Sequence, residues 1–213
     1  MTNLLADAGP TATAMIGGTG VNALLSLLVM MIAMLTTVFA LQSATSLRAD
    51  EASGIIEPQL AGAISRTRWA VQRLLIPAVG TTVLLLVGGA SMGAGYGSLI
   101  GDPGQTIRLA LATLAYWPAV MVLLGVAVAL FGWLPRLAIP LTWGVLSAML
   151  IIVLIGDALH LPGWLLNLLP FSATPHQPLV SLTWTPLVIL TLVAAGLIWT
   201  GLDRFARRDI QPA

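Results

Sequence analysis

Residues 109–132 read LALATLAYWPAVMVLLGVAVALFG, and no Asp, Glu, Lys, Arg or His interrupts them. Arg108 stands on one side and Arg136 just beyond the other. A helix needs about 20 apolar residues to cross a hydrocarbon core about 30 Å thick. This stretch meets that length, and so do four others. They run from about Ala23 to Ser43, Leu74 to Leu99, Leu137 to Gly156 and Pro186 to Leu202. The fourth in chain order, between Arg136 and Asp157, has almost no slack.

Composition agrees. Of the 213 residues, 58% are hydrophobic and 8% charged. A soluble domain carries about 25% charged residues, so this chain cannot clothe a soluble surface. The same numbers exclude disorder, which needs low hydrophobicity and high net charge. With no cysteine, disulfide scaffolds and cysteine-ligated metal centres are excluded. All nine basic residues are Arg. Without Lys the chain has neither a Schiff-base nucleophile nor the P-loop residue that reaches nucleotide phosphates. The expected class is an all-α polytopic membrane protein, a single transmembrane domain over residues 1–213 with about five spans. Any ATP and Mg²⁺ would be bound by a partner, and the chain itself would bind no cofactor.

Arginine placement gives an expected orientation. Arg48, Arg66, Arg68, Arg73, Arg136, Arg204, Arg207 and Arg208 fall on one side of a five-span chain, and Arg108 alone on the other. The C-terminus is therefore expected in the cytoplasm and the N-terminus outside. No basic residue precedes the first span, so the start does not read as a secretory signal. An exported start suggests an upstream helix, missing or supplied by another chain.

The sizeable cytoplasmic loop, residues 47–73, reads LRADEASGIIEPQLAGAISRTRWAVQR. Gly54 is expected to stop the first helix. Pro58 suits a first helical turn. Ile56, Leu60 and Ile64 recur at i, i+4 and i+8 and make one apolar face. Ser65 can cap the helix that carries Arg66 to Arg73 into the second span. This short amphipathic helix reads either as a docking knob for a cytoplasmic partner or as a plain surface helix resting on lipid.

The run Asp50-Glu51, Gly54, Glu57, Leu60-Ala61 and Ser65-Arg66-x-Arg68-Trp69 resembles the coupling loop of ABC-2 type permeases. Within them it is most similar to membrane subunits that export polyketide antibiotics. Further pieces follow in family order: Tyr116-Trp117-Pro118-Ala119, Phe131-Gly132-x-x-Pro135-Arg136, Trp143, Pro170-Phe171-Ser172-x-x-Pro175-His176, and Phe205-Ala206-Arg207-Arg208-Asp209-Ile210. The similarity covers about residues 22–210. It departs at Gly54, which Ile55 follows where the family has Arg, and in length, which matches the last five spans of a two-half permease.

The resemblance implies an exporter of hydrophobic or amphipathic compounds such as drugs or antibiotics. Cytoplasmic ABC ATPase subunits, a second permease half or copy and the lipid bilayer would be partners, and nucleic acid would not. The residues implied in ATPase coupling are Asp50, Glu51, Gly54, Glu57, Leu60, Ile64, Arg66 and Arg68. The expected location is a bacterial plasma membrane, crossed several times.

Two other patterns compete. Gly89-Ala90-Ser91-Met92-Gly93 matches G-x-S-x-G, but an intramembrane serine protease needs a histidine base in another span. His160 and His176 both lie in the external loop over residues 157–185. Close helix packing through Gly89 and Gly93 explains the motif better. Asp157, His160 and His176 lack metal-site spacing, so neither a metal nor a catalytic residue is expected. No ionisable residue falls inside a span, which argues against an ion-coupled carrier. A non-transporting membrane scaffold is the remaining alternative. Pro77, Pro118 and Pro140 are expected to bend spans. Met30, Met31, Met34, Met92 and Met121 read as packing, or as an adaptable apolar lining.

Overall fold

A computed structural model describes residues 20–52, 66–155, 169–174 and 183–207. Among them are seven helices and no strand: α1 Val21–Ala52, α2 Arg66–Ile100, α3 Gln105–Leu114, α4 Trp117–Trp133, α5 Ala138–Ile155, α6 Pro170–Ala173 and α7 Trp184–Arg207. Four stretches are long and apolar enough to cross a membrane: Val21–Thr45, Val71–Ile100, Gln105–Trp133 (α3 and α4 together) and Trp184–Ala206. A shorter apolar stretch, Ala138–Val153, lies within α5. The 18 residues of α5 reach about 27 Å.

The bundle is organised around α4. Its sequence is apolar on every side, and such a helix belongs in an interior. Val120, Leu124 and Ala119 are almost wholly buried. α1, α2, α5, α6 and α7 all pack on it. α5 packs chiefly on α4 and is the most thinly held of the long helices.

Glycine sets the closest approaches. Gly89, Gly93 and Gly97 recur every four residues on α2 and form a stripe facing α3. A Cβ at each would come under 3.0 Å from the backbone of Leu109–Ala110, Gln105–Thr106 and Asp102 respectively. Backbones this close permit one helix to bond the other. Thr113 Oγ1 lies 2.8 Å from Leu85 O on α2 and 3.0 Å from Leu109 O on its own helix, so one proton serves both. The packing expectation for Gly89 and Gly93 therefore holds. Ser91 sits on the opposite, exposed side and donates to Val87 O at 2.7 Å.

The turn between α2 and α3 follows from its residues. Gly101 adopts φ +74°, the left-handed conformation that ends helices. Asp102 N then donates back to Gly97 O at 3.0 Å, closing a Schellman motif. Asp102 Oδ1 accepts from Gly104 N at 3.0 Å, which fixes the next bend.

A second glycine seam joins α4 to α7. Gly125 faces Leu197 and Ala194, while Gly132 and Gly201 meet backbone to backbone. Phe131 and Phe205 pack at 5.3 Å between ring centroids, and the Arg204 guanidinium lies 4.8 Å over the Trp133 ring. These pairings advance together along both helices, so α4 and α7 run parallel. α1 with α2, and α2 with α3, run antiparallel.

Several boundaries differ from the sequence reading. The third span starts earlier, at Gln105, and is broken at Ala115–Tyr116. Pro118 has no N–H to donate to Leu114 O, and its ring would clash there in a continuous helix. Tyr116 N instead reaches Thr113 O at 3.0 Å, a tight three-residue step. Pro140 does not bend α5; it lies in the first turn, where its missing N–H costs nothing. Pro77 lies inside α2. The last span begins at Trp184, not Pro186. Within the stretch read as an external loop, Pro170–Ala173 forms a short helix packed into the bundle, with Phe171 fully buried. Met121 is buried and Met30, Met34 and Met92 pack against the core, whereas Met31 is half-exposed, so these methionines line no common path.

Candidate functional site

The break between α3 and α4 leaves a cavity of about 810 Å³. α2 contributes Thr82, α3 contributes Arg108 and Leu111, α4 contributes Trp117 and Pro118, and α7 contributes Trp184, Leu187 and Thr191. Drug-sized ligands occupy pockets of about 300–1,000 Å³.

Its floor is tied by one cross-helix bond. Trp117 Nε1 donates to Thr82 Oγ1 at 3.0 Å, and Thr82 Oγ1 donates to Ala78 O at 2.9 Å. Thr191 Oγ1 is likewise spent on Leu187 O, at 2.7 Å. The two threonine hydroxyls and the Trp117 indole N–H are thus satisfied within the protein, and the cavity presents largely apolar surface. Thr82→Val keeps the shape but strands the indole N–H. It is expected to cost about 1 kcal/mol, read as a small fall in melting temperature and a red shift of tryptophan emission.

The exception is Arg108 at the rim. Its Nη1 donates to Gln105 Oε1 at 3.1 Å, and Gln105 Nε2 donates to Asp102 Oδ2 at 2.7 Å. A neutral amide thus stands between the acid and the base. A guanidinium has five N–H donors, and Arg108 is exposed.

The coupling residues read from sequence lie elsewhere. Asp50 and Glu51 fall at the end of α1, and Arg66 and Arg68 at the start of α2. Gly54, Glu57, Leu60 and Ile64 lie outside the described residues, as do Asp157, His160 and His176. Helix directions put the end of α1, the start of α2, and Arg73, Arg136 and Arg204 at one end of the bundle. Arg108 and the cavity mouth belong to the other end.

The family model described as the C-terminal domain of the multidrug efflux system permease Rv1217c matches residues 1–206. The chain belongs to this family. The multidrug efflux system permease protein Rv1217c of Mycobacterium tuberculosis is 37% identical over 198 residues. That alignment takes in 92% of this chain and 36% of the relative, so the chain spans about a third of the relative's length. As a member of the Rv1217c C-terminal family with several membrane-length apolar helices, it is a multi-pass protein of the bacterial plasma membrane.

In this Rv1217c-type domain, sequence pieces that are far apart meet in space. Tyr116, at the break, stacks on Phe171 with ring centroids 5.9 Å apart, and neither ring is exposed. Phe131-Gly132 meets Gly201 and Phe205 across the second seam. The cavity itself was not foreseen. Its only sequence signals were Pro118 in a span and the lone arginine, Arg108, on the sparsely charged side.

Proposed function

We propose that this chain is a membrane permease subunit, or the C-terminal membrane domain of one, in an ABC-2 type exporter. ATP and Mg²⁺ would be held by separate cytoplasmic ATPase subunits, and the arginine-rich end of the bundle would face them, as the positive-inside rule requires. The cargo class is hydrophobic or amphipathic compounds, in keeping with the name of the Mycobacterium tuberculosis relative.

The observation that carries this reading is the cavity of about 810 Å³, walled by apolar surface in a domain that belongs to an efflux-permease family. The Thr82 and Thr191 hydroxyls and the Trp117 indole N–H on its walls are already bonded to the protein, which suits an apolar occupant. Coupling would pass through α2. That helix begins beside the coupling loop and reaches the cavity floor through the bond from Trp117 to Thr82. A rigid shift of α2 would therefore change the cavity without any chemistry in this chain.

The test is in cells carrying the permease with its cognate ATPase. Leu60→Asp would place a charge on the apolar face that the Ile56, Leu60, Ile64 spacing leads us to expect. Recovery of the ATPase with the permease is expected to fall about tenfold, the equivalent of about 1.4 kcal/mol. Retention of a hydrophobic fluorescent dye should rise in parallel. Full ATPase recovery together with unchanged dye efflux would defeat the proposal.

A further inference from the structure

We infer that the cavity beside the broken span is a binding site for a free, single-chain amphipathic anion, with its headgroup on Arg108 and its tail against Trp117 and Trp184. This deepens the export reading by naming a cargo chemistry, and it rests on that reading only for the fate of the bound molecule.

Three observations converge. The walls are largely apolar, and three of their side-chain polar groups are consumed within the protein: Trp117 on Thr82, Thr82 on Ala78, Thr191 on Leu187. An occupant's body must therefore be apolar, because burying polar groups there without partners is costly. Next, the cation at the rim is under-used. Among the described residues the Arg108 guanidinium makes one hydrogen bond, to a neutral amide, and Gln105 intervenes between it and Asp102. Guanidinium pairs with a carboxylate through two parallel bonds, and most of its donors remain for that purpose.

The third observation is the placing of the charge along the span. Arg108 lies three residues into α3, so six residue steps, about 9 Å of helix, carry the wall from the cation to Leu114 before the break. Trp117 stands beyond the break, so the cation and the tied floor lie at opposite ends of the site. Trp184, exposed at the first turn of α7, lines the same cavity and offers an indole face to a tail. One cation selects one negative charge, and the bond from Trp117 to Thr82 closes the far end against the tail.

The chain in phosphatidylcholine nanodiscs provides the test. Dibrominated stearate, ionised, and its uncharged methyl ester quench nearby tryptophan. Quenching is followed against the mole fraction of each probe in the bilayer, which removes differences in partitioning. The carboxylate is expected to half-saturate at about a tenfold lower mole fraction than the ester, the gain of a charge-assisted pair. Arg108→Gln should raise the carboxylate to the ester's value and leave the ester unchanged. Val188→Phe, at an exposed lining position, should weaken both probes.

Equal half-saturation of acid and ester in the wild-type chain would overturn the inference. So would a preference for the acid that survives Arg108→Gln. Displacement of the acid by phosphatidylglycerol but not by added phosphatidylcholine would assign the site to bilayer lipid and overturn the free amphipath. No transport is measured here, so a failure of the ATPase experiment and a failure of this one are separable.

Discussion

Phe171→Ala is expected to lower stability by about 3–5 kcal/mol, the cost of removing a fully buried aromatic ring. Phe171 has no exposed surface, and its partner Tyr116 has none either. Their rings are 5.9 Å apart and tilted by 33°, a favourable aromatic geometry. The pair fastens the Pro170–Ala173 turn to the point where the third span breaks. Removing the ring leaves a void beside Tyr116. The melting midpoint in detergent should fall by about 10 °C, taking about 2–4 °C per kcal/mol for a chain of this size. A midpoint within about 2 °C of wild type would show that the turn is not held by this contact.

Gly89→Leu is the second large effect. A Cβ at Gly89 meets Leu109 O and Ala110 Cα, which are backbone atoms and cannot turn aside. Overpacking of this kind costs about 1–3 kcal/mol, and here α2 must separate from α3. The separation also strains the bond from Thr113 to Leu85, so the upper part of that range is expected. The internal control is Gly95→Leu, on the same helix, where nothing lies within 4 Å. There the better helix propensity of Leu should stabilise by about 0.5–1 kcal/mol. Opposite shifts of the melting midpoint from two glycines six residues apart would separate packing from propensity. Shifts of the same sign would refute the seam.

The apolar helices were legible in the sequence because charge is excluded from the middle of a span. Arg73, Asp102, Arg108, Arg136, Asp157 and Asp203 bracket the apolar stretches, but α2, α3 and α7 run on through Arg73, Arg108 and Asp203, and the stretch in α5 is shorter than the other four. The α2–α3 contact was legible in part, because Gly89 and Gly93 carry the small-residue spacing that close packing needs. The break at Tyr116 was visible only as a proline in a span. Whether Pro118 bends, breaks or starts a helix depends on what fills the space around it, and Phe171 fills it from a distant loop.

The pairing of α4 with α7 was not legible at all. Gly132 and Gly201 are far apart in the chain, and neither spacing names the other. The cavity shares that origin: Trp117, Trp184 and Thr82 become neighbours only once three helices are in register. The coupling residues Glu57, Leu60 and Ile64 rest on the resemblance and on apolar periodicity.

The central helix has one more consequence. Val120, Leu124 and Ala119 of α4 are packed on all sides by apolar neighbours, and no charged side chain enters that layer among the described residues. On the export reading proposed above, this layer would act as an electrical insulator. A cargo skirting its flank would leave the layer dry, and a transport cycle would then proceed without discharging the proton gradient. Vesicles holding a pH-sensitive dye would register that tightness as an undisturbed gradient while the exporter is supplied with ATP.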